Sequence, residues 1–130
     1  MPPGKVTLVA YFPTVGLAGD AVSRMPASWL AAELMSASGR VSKRHGMDIG
    51  VFDHAGDGNH HPTYVTPPGT PDEHAIVDTC RADLFAEVLA LGGTITCEHG
   101  TGLSKCGFLE QQVGPRSLAA MRAVRDALDP

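Results

Sequence analysis

An α+β fold built on an antiparallel sheet is predicted for this chain, and three observations predict it. Short β-branched and aromatic runs (5–12, 48–54 and 61–66) are separated by long stretches whose apolar residues recur every three or four positions. Two of those runs flank Gly56-Asp57-Gly58-Asn59, a sequence suited to closing a hairpin because glycine supplies unusual backbone angles and Asp and Asn hydrogen-bond across a turn. The order of elements is strand, helices, strand, strand, helix, strand, then terminal helices. That is the split βαβ order of a ferredoxin-like sheet with its helices packed on one face.

Each element has its own signal. Lys5 to Phe12 (KVTLVAYF) reads as a strand closed by Pro13, and Thr14 caps a short helix with Ala18, Val22 and Met25 in helical spacing. Pro26 interrupts it. A second helix starts near Ala27, with Leu30, Leu34, Ala37 and Val41 on one face; Lys43, Arg44 and His45 complement its C-terminal dipole, and Gly46 stops it. Asp48 to His54 and His61 to Thr66 form the hairpin. After Pro67-Pro68-Gly69, Thr70-Pro71-Asp72-Glu73 offers a capping box, and Val77, Cys80, Leu84, Val88 and Leu91 line the helix that follows until Gly92-Gly93. Thr94 to Glu98 reads as a short strand and Leu103 to Val113 as a helical turn or two. Pro115 begins a last helix with Leu118, Met121, Val124 and Leu128 facing inward.

At 130 residues the chain is expected to be one domain, large enough for one core but not for separate cofactor and substrate domains. A net charge of −4 with scattered Lys and Arg excludes the basic stripe that nucleic acid or an anionic membrane would require. No segment is apolar over the length of a membrane span, and the first residues, Met1-Pro2-Pro3-Gly4-Lys5, lack a signal-peptide core. Three cysteines outside any CxxC spacing fit a reducing compartment, so a cytoplasmic location is expected. Cys80 belongs to the apolar helix face; His45 and His74 are expected on solvated helix surfaces, and Trp29 and Phe85 are packing residues.

The chemistry concentrates in two places. His54 and His61 lie on either side of the predicted hairpin turn, on neighbouring strands, and Glu98-His99 follows on a third. Two imidazoles and a carboxylate suit zinc or manganese and leave a coordination position open, with His99 spare for proton transfer. His60 should point away from His61, because successive strand residues face opposite sides. Asp53, Asp57 and Gly58 match three positions of a calcium loop, but Ala55 and Tyr64 occupy ligand positions, and that reading fails.

These same segments carry a resemblance. HGMDIGVFDHAGDGNHHPTYV, ALGGTITCEHGTGLSK and GPRSLAAMRAVRDALDP together resemble the C-terminal domain of FAD-linked oxidases, the group of glycolate oxidase, D-lactate dehydrogenase and D-2-hydroxyglutarate dehydrogenase. The likeness covers most of 25–130. TLVAYFPTVGLAGDAVSRM is similar to an earlier part of that domain, and its direct abutment on Pro26 implies an internal deletion near 25–26, with the flavin-binding domain that precedes it in the family not represented. The resemblance implies that His54, His61 and Glu98 hold a divalent metal. It further implies that His99 takes the hydroxyl proton of a small D-2-hydroxy acid as hydride passes to FAD on a separate flavin-domain protein. Asp53, His60, Cys97 and Cys106-Gly107 depart from the family pattern, and the chain stops before the family's ending near the flavin. The alternatives are a non-catalytic remnant, a metal-binding or self-associating module, and a metal-dependent hydrolase using His99.

Overall fold

The computed structural model describes residues 5–7, 10–11, 27–54, 59–97 and 99–129. The elements are β1 (Lys5–Thr7), β2 (Ala10–Tyr11), α1 (Ala27–His45), β3 (Asp48–His54), β4 (Asn59–Val65), α2 (Glu73–Ala90), α3 (Gly102–Lys105), a 3-10 turn (Cys106–Phe108) and α4 (Leu109–Leu128). The class is α+β with an antiparallel sheet, as the element order predicts. The helix predicted between Thr14 and Met25 and the hairpin turn itself lie outside the described residues.

β4 is the centre of the sheet. It pairs antiparallel with β3 along its whole length, Asp48 opposite Val65 through His54 opposite Asn59. β1 and β2 also pair antiparallel with β4, Lys5 opposite Val65 and Tyr11 opposite Asn59, in one continuous register. Side chains of a strand alternate between faces, and directly opposed residues share a face. The register therefore sorts His60, Pro62 and Tyr64 with Ile49 and Val51 on one face. Asn59, His61 and Thr63 go to the other with His54, Phe52 and Gly50.

The first face is the core face. Tyr64 packs with Leu34, Ala37 and Val41 of α1 and with Val77, Cys80, Leu84, Phe85 and Val88 of α2, all buried. The helical spacing read from the sequence is thus the spacing that meets the sheet. His60 is fully buried beneath α1 and hydrogen-bonded through Nε2 to the Ser38 hydroxyl at 2.8 Å. α1 ends at His45 as predicted, and the Met47 amide closes it on the Ser42 carbonyl at 3.1 Å in a Schellman arrangement.

Polar contacts fix the two helices side by side. Arg44 reaches Asp83 at 3.0 Å and Glu87 at 3.2 Å, Arg40 reaches Glu87 at 2.7 Å, and His45 reaches Asp83 at 2.8 Å. His45 is therefore an inter-helix contact and not simply solvated. Hydrogen bonds from His45 and then Arg44 hold the Asp83 carboxyl below its ordinary range. A depressed carboxylate stabilises the fold above its unfolded pKa, and the contribution disappears as pH falls through the folded value. Asp83→Asn is accordingly expected to unfold at a lower denaturant concentration than the parent at neutral pH. The difference should close in acid, below about pH 4, which urea melts across the pH range would reveal.

Four local expectations are corrected. The capping box does not form: Asp72 is the N-cap of α2 with φ 52°, and no side chain bonds there. The Thr70 hydroxyl instead donates to the Pro67 carbonyl at 2.7 Å within the Pro67 to Thr70 turn, and Glu73 accepts from the Thr66 hydroxyl. β4 begins at Asn59, two residues before the predicted strand. Thr94 to Cys97 adds no strand beyond an isolated bridge at Thr94, because the Ile95 amide donates to Gln112 Oε1 at 2.9 Å where a neighbouring strand would be.

The fourth concerns α4. Gly114 has φ 77° and ψ 164°, a backbone state that glycine tolerates, so α4 is kinked there and Pro115 starts its second half. Leu118 packs inward at 8% exposed, but Met121, Val124 and Leu128 are 49%, 60% and 80% exposed. Periodicity identifies an apolar face without saying that its partner lies in the same chain. No described helix is long and apolar enough to cross a membrane.

Candidate functional site

The sheet face turned away from α1 carries the histidines. β3 places His54 and β4 places His61, and because both belong to the same face by register, their rings meet edge to face with centroids 5.1 Å apart. His99 reaches the same place from a different part of the chain. Its ring is 6.0 Å from that of His61, again edge to face. Three imidazoles distant in sequence thus line one surface. His54 and His99 are exposed, and His61 is half-buried.

The turn carrying His99 is a tight reversal. The Gly100 amide donates to the Cys97 carbonyl at 3.2 Å, and Gly100 takes φ +66°, which a side chain would strain. Glu98, the expected third metal donor, lies outside the described residues. Among the described residues no three His, Cys, Asp or Glu side chains converge closely enough to hold a metal by themselves. His60 faces the core, as the alternation predicts, and takes no part.

The surroundings are apolar and open. Phe52 is paired directly with His61 on the same face and is 69% exposed. Sequence reasoning missed two polar residues here. Asn59 is opposed to His54 on the histidine face and buried, a position that the period-two rule could have given. Lys105 is also buried, and nothing in its sequence setting signals that.

Against this geometry, comparison with known proteins is decisive. Residues 31–130 match the family described as FAD linked oxidases, C-terminal domain. The chain belongs to that family. Similar FAD-linked relatives include the glycolate oxidase subunit GlcD of Bacillus subtilis (strain 168), 38% identical over 99 residues, which are 76% of this chain and 21% of the relative. The "Probable D-lactate dehydrogenase, mitochondrial" of Danio rerio is 40% identical over 80 residues, 62% of this chain and 16% of the relative. The D-lactate dehydrogenase (cytochrome), mitochondrial, of Arabidopsis thaliana is 32% identical over 106 residues, 82% of this chain and 18% of the relative. The chain therefore corresponds to about a fifth or less of the length of these FAD-linked oxidoreductases.

Within this FAD linked oxidase C-terminal domain, His54 and His61 are a neighbouring pair of imidazole donors, and the described residues add no third donor close enough to complete a metal site. Zinc binds imidazole nitrogen at about 2 Å, so two rings on one tetrahedral ion have centroids roughly 5 Å apart. His54 and His61 stand at 5.1 Å. Two nitrogen donors on one ion would leave positions for a carboxylate and for an oxygen of solvent or substrate.

Proposed function

We propose that this chain is the substrate and metal side of an FAD-dependent oxidoreductase that converts a small D-2-hydroxy acid, of the glycolate or D-lactate type, to its 2-oxo acid. The observation that carries the reading is the convergence of His54, His61 and His99 on one open sheet face. The similarity to a glycolate oxidase subunit and to D-lactate dehydrogenases supports the substrate class.

In this reading His54, His61 and Glu98 hold zinc or manganese, and His99 is the base. A bound divalent ion would supply Lewis acidity, lowering the pKa of an α-hydroxyl next to it. FAD, the family's cofactor, would supply the acceptor for the hydride leaving the substrate carbon. The chain's own part is to bind and to move a proton. His99 accepts the hydroxyl proton on an imidazole nitrogen as general base. Phe52, exposed beside His61, gives the site an apolar edge that would help to keep water from the reacting centre once a partner surface covers it.

In this reading a flavin-domain protein presents FAD to the histidine face, and the 130 residues act as one domain with an internal deletion near 25–26. A cytoplasmic location belongs to the same reading, supported by three cysteines outside any CxxC spacing. A second reading, a metal-binding module that self-associates as a homo-oligomer, is favoured by the exposed stripe Met121, Val124 and Leu128.

Mixing the chain with the FAD-loaded remainder of the Bacillus subtilis relative tests the proposal. Anaerobic glycolate or D-lactate should then bleach the flavin, and the His99→Ala chain should not support it. No association, or no bleaching with either acid, would remove the first reading; sedimentation as a dimer without flavin activity would favour the second.

A further inference from the structure

We propose that Lys105 is a positioning residue for the histidine face, holding the Thr96 to Gly100 turn in the shape that sets His99 against His61. The inference rests on the role given above to that turn.

Lys105 is the last residue of α3 and only 6% exposed. Its Nζ lies 3.4 Å from Thr96 Oγ1. The Thr96 hydroxyl in turn donates to the Gly100 carbonyl, across the residues Cys97, Glu98 and His99. The bonding direction is forced by donor count. An ammonium has donors alone, so Lys105 must occupy a lone pair of Thr96, and the single hydroxyl proton is left for Gly100. Lys105 and Thr96 thereby act as one clasp on the turn that presents His99.

Other contacts show that this segment is held by side chains rather than by a sheet ladder. Thr94 Oγ1 donates to the Thr96 carbonyl at 2.7 Å, and Ile95 is held by Gln112 at 2.9 Å. These bonds fix the turn's entry. The Gly100 amide bond to Cys97 and the Thr96–Lys105 contact fix its exit.

Burial works against the cation. Desolvation lowers the Lys105 pKa, the nearby Arg81 guanidinium adds to the lowering, and Cys97 opposes it. An apolar side chain of the same length would avoid that cost. A purely space-filling role therefore predicts that Lys105→Met is neutral for everything near it. A clasp predicts that stability is kept while the turn loses its register.

The test uses the full chain, metal-free and then titrated with zinc alone. In the parent, the ring protons of His61 and His99 should show a mutual NOE. Lys105→Met and Thr96→Val should each abolish it and weaken zinc binding at least about tenfold, the scale seen when a supporting partner of a ligand is lost. Because the two residues form one link, the double variant should be no worse than either single one. Lys105→Arg, which keeps the donor, should restore the NOE. A parent-like NOE in Lys105→Met and Thr96→Val would overturn the proposal, as would additive losses in the double variant. Should Lys105→Met fail to fold, the Thr96→Val and Lys105→Arg chains decide the question by the same NOE. If the parent binds no zinc, the metal reading fails, and the NOE still judges the clasp.

Discussion

Replacing His61 with alanine is expected to lower zinc affinity by more than the roughly 10–100-fold that follows loss of a partner around a ligand. His61 is the hinge of the site. Its ring contacts both His54 and His99, so its removal takes away a donor and the surface that orders the other two rings. The neighbouring histidine is the natural control. His60→Gln alters a side chain that faces α1 and bonds Ser38, so it should leave zinc affinity where it was, whatever it does to stability. Isothermal titration with zinc on both variants checks the pair. Equal losses in the two would mean that the alternation of β4 does not define the site.

Leu84→Ala is expected to destabilise the fold by about 3–5 kcal/mol, the upper range for a leucine emptied from a closed core. Leu84 is fully buried in the cluster that joins α1, α2 and Tyr64. A single domain holds about 5–15 kcal/mol in total, so this one change consumes much of it. Met121→Ala offers the contrast. Met121 belongs to an equally regular apolar pattern, yet it is 49% exposed, and its loss should shift stability by no more than about 0.5 kcal/mol. Urea unfolding of the two variants separates a stripe that meets the core from one that does not.

That contrast also measures what the chain discloses before its structure is known. α1 and β3 are legible because periodicity and stop signals agree: Gly46 ends the helix where Lys43, Arg44 and His45 already suit its C-terminus, and the alternation of Asp48–His54 survives in the register with β4. The inward spacing of α2 is legible for the same reason. Contacts that depend on competition are not. Thr70 had two acceptable uses and the turn at Pro67 took it; Thr94 to Cys97 has strand composition, but the Gln112 side chain supplies the bond to Ile95 that a strand would have made. Neither outcome is encoded in local pattern.

The site divides in the same way. That His54 and His61 share a face and His60 does not follows from the period of a strand, and the ring contacts agree. The arrival of His99 beside them depends on a turn held by Thr96, Gly100 and Gln112, from segments whose proximity no spacing rule gives. Lys105 was invisible for a related reason: a lysine at the end of a four-residue helix is usually solvated, and only the packing of the turn above it shows that it is buried.

The most direct test of the central claim is the metal content of the purified chain after loading with zinc or manganese, with His54→Ala prepared in parallel. The account predicts one equivalent per chain in the parent and none in the variant; a parent that retains no metal, or a variant that retains as much, would contradict it.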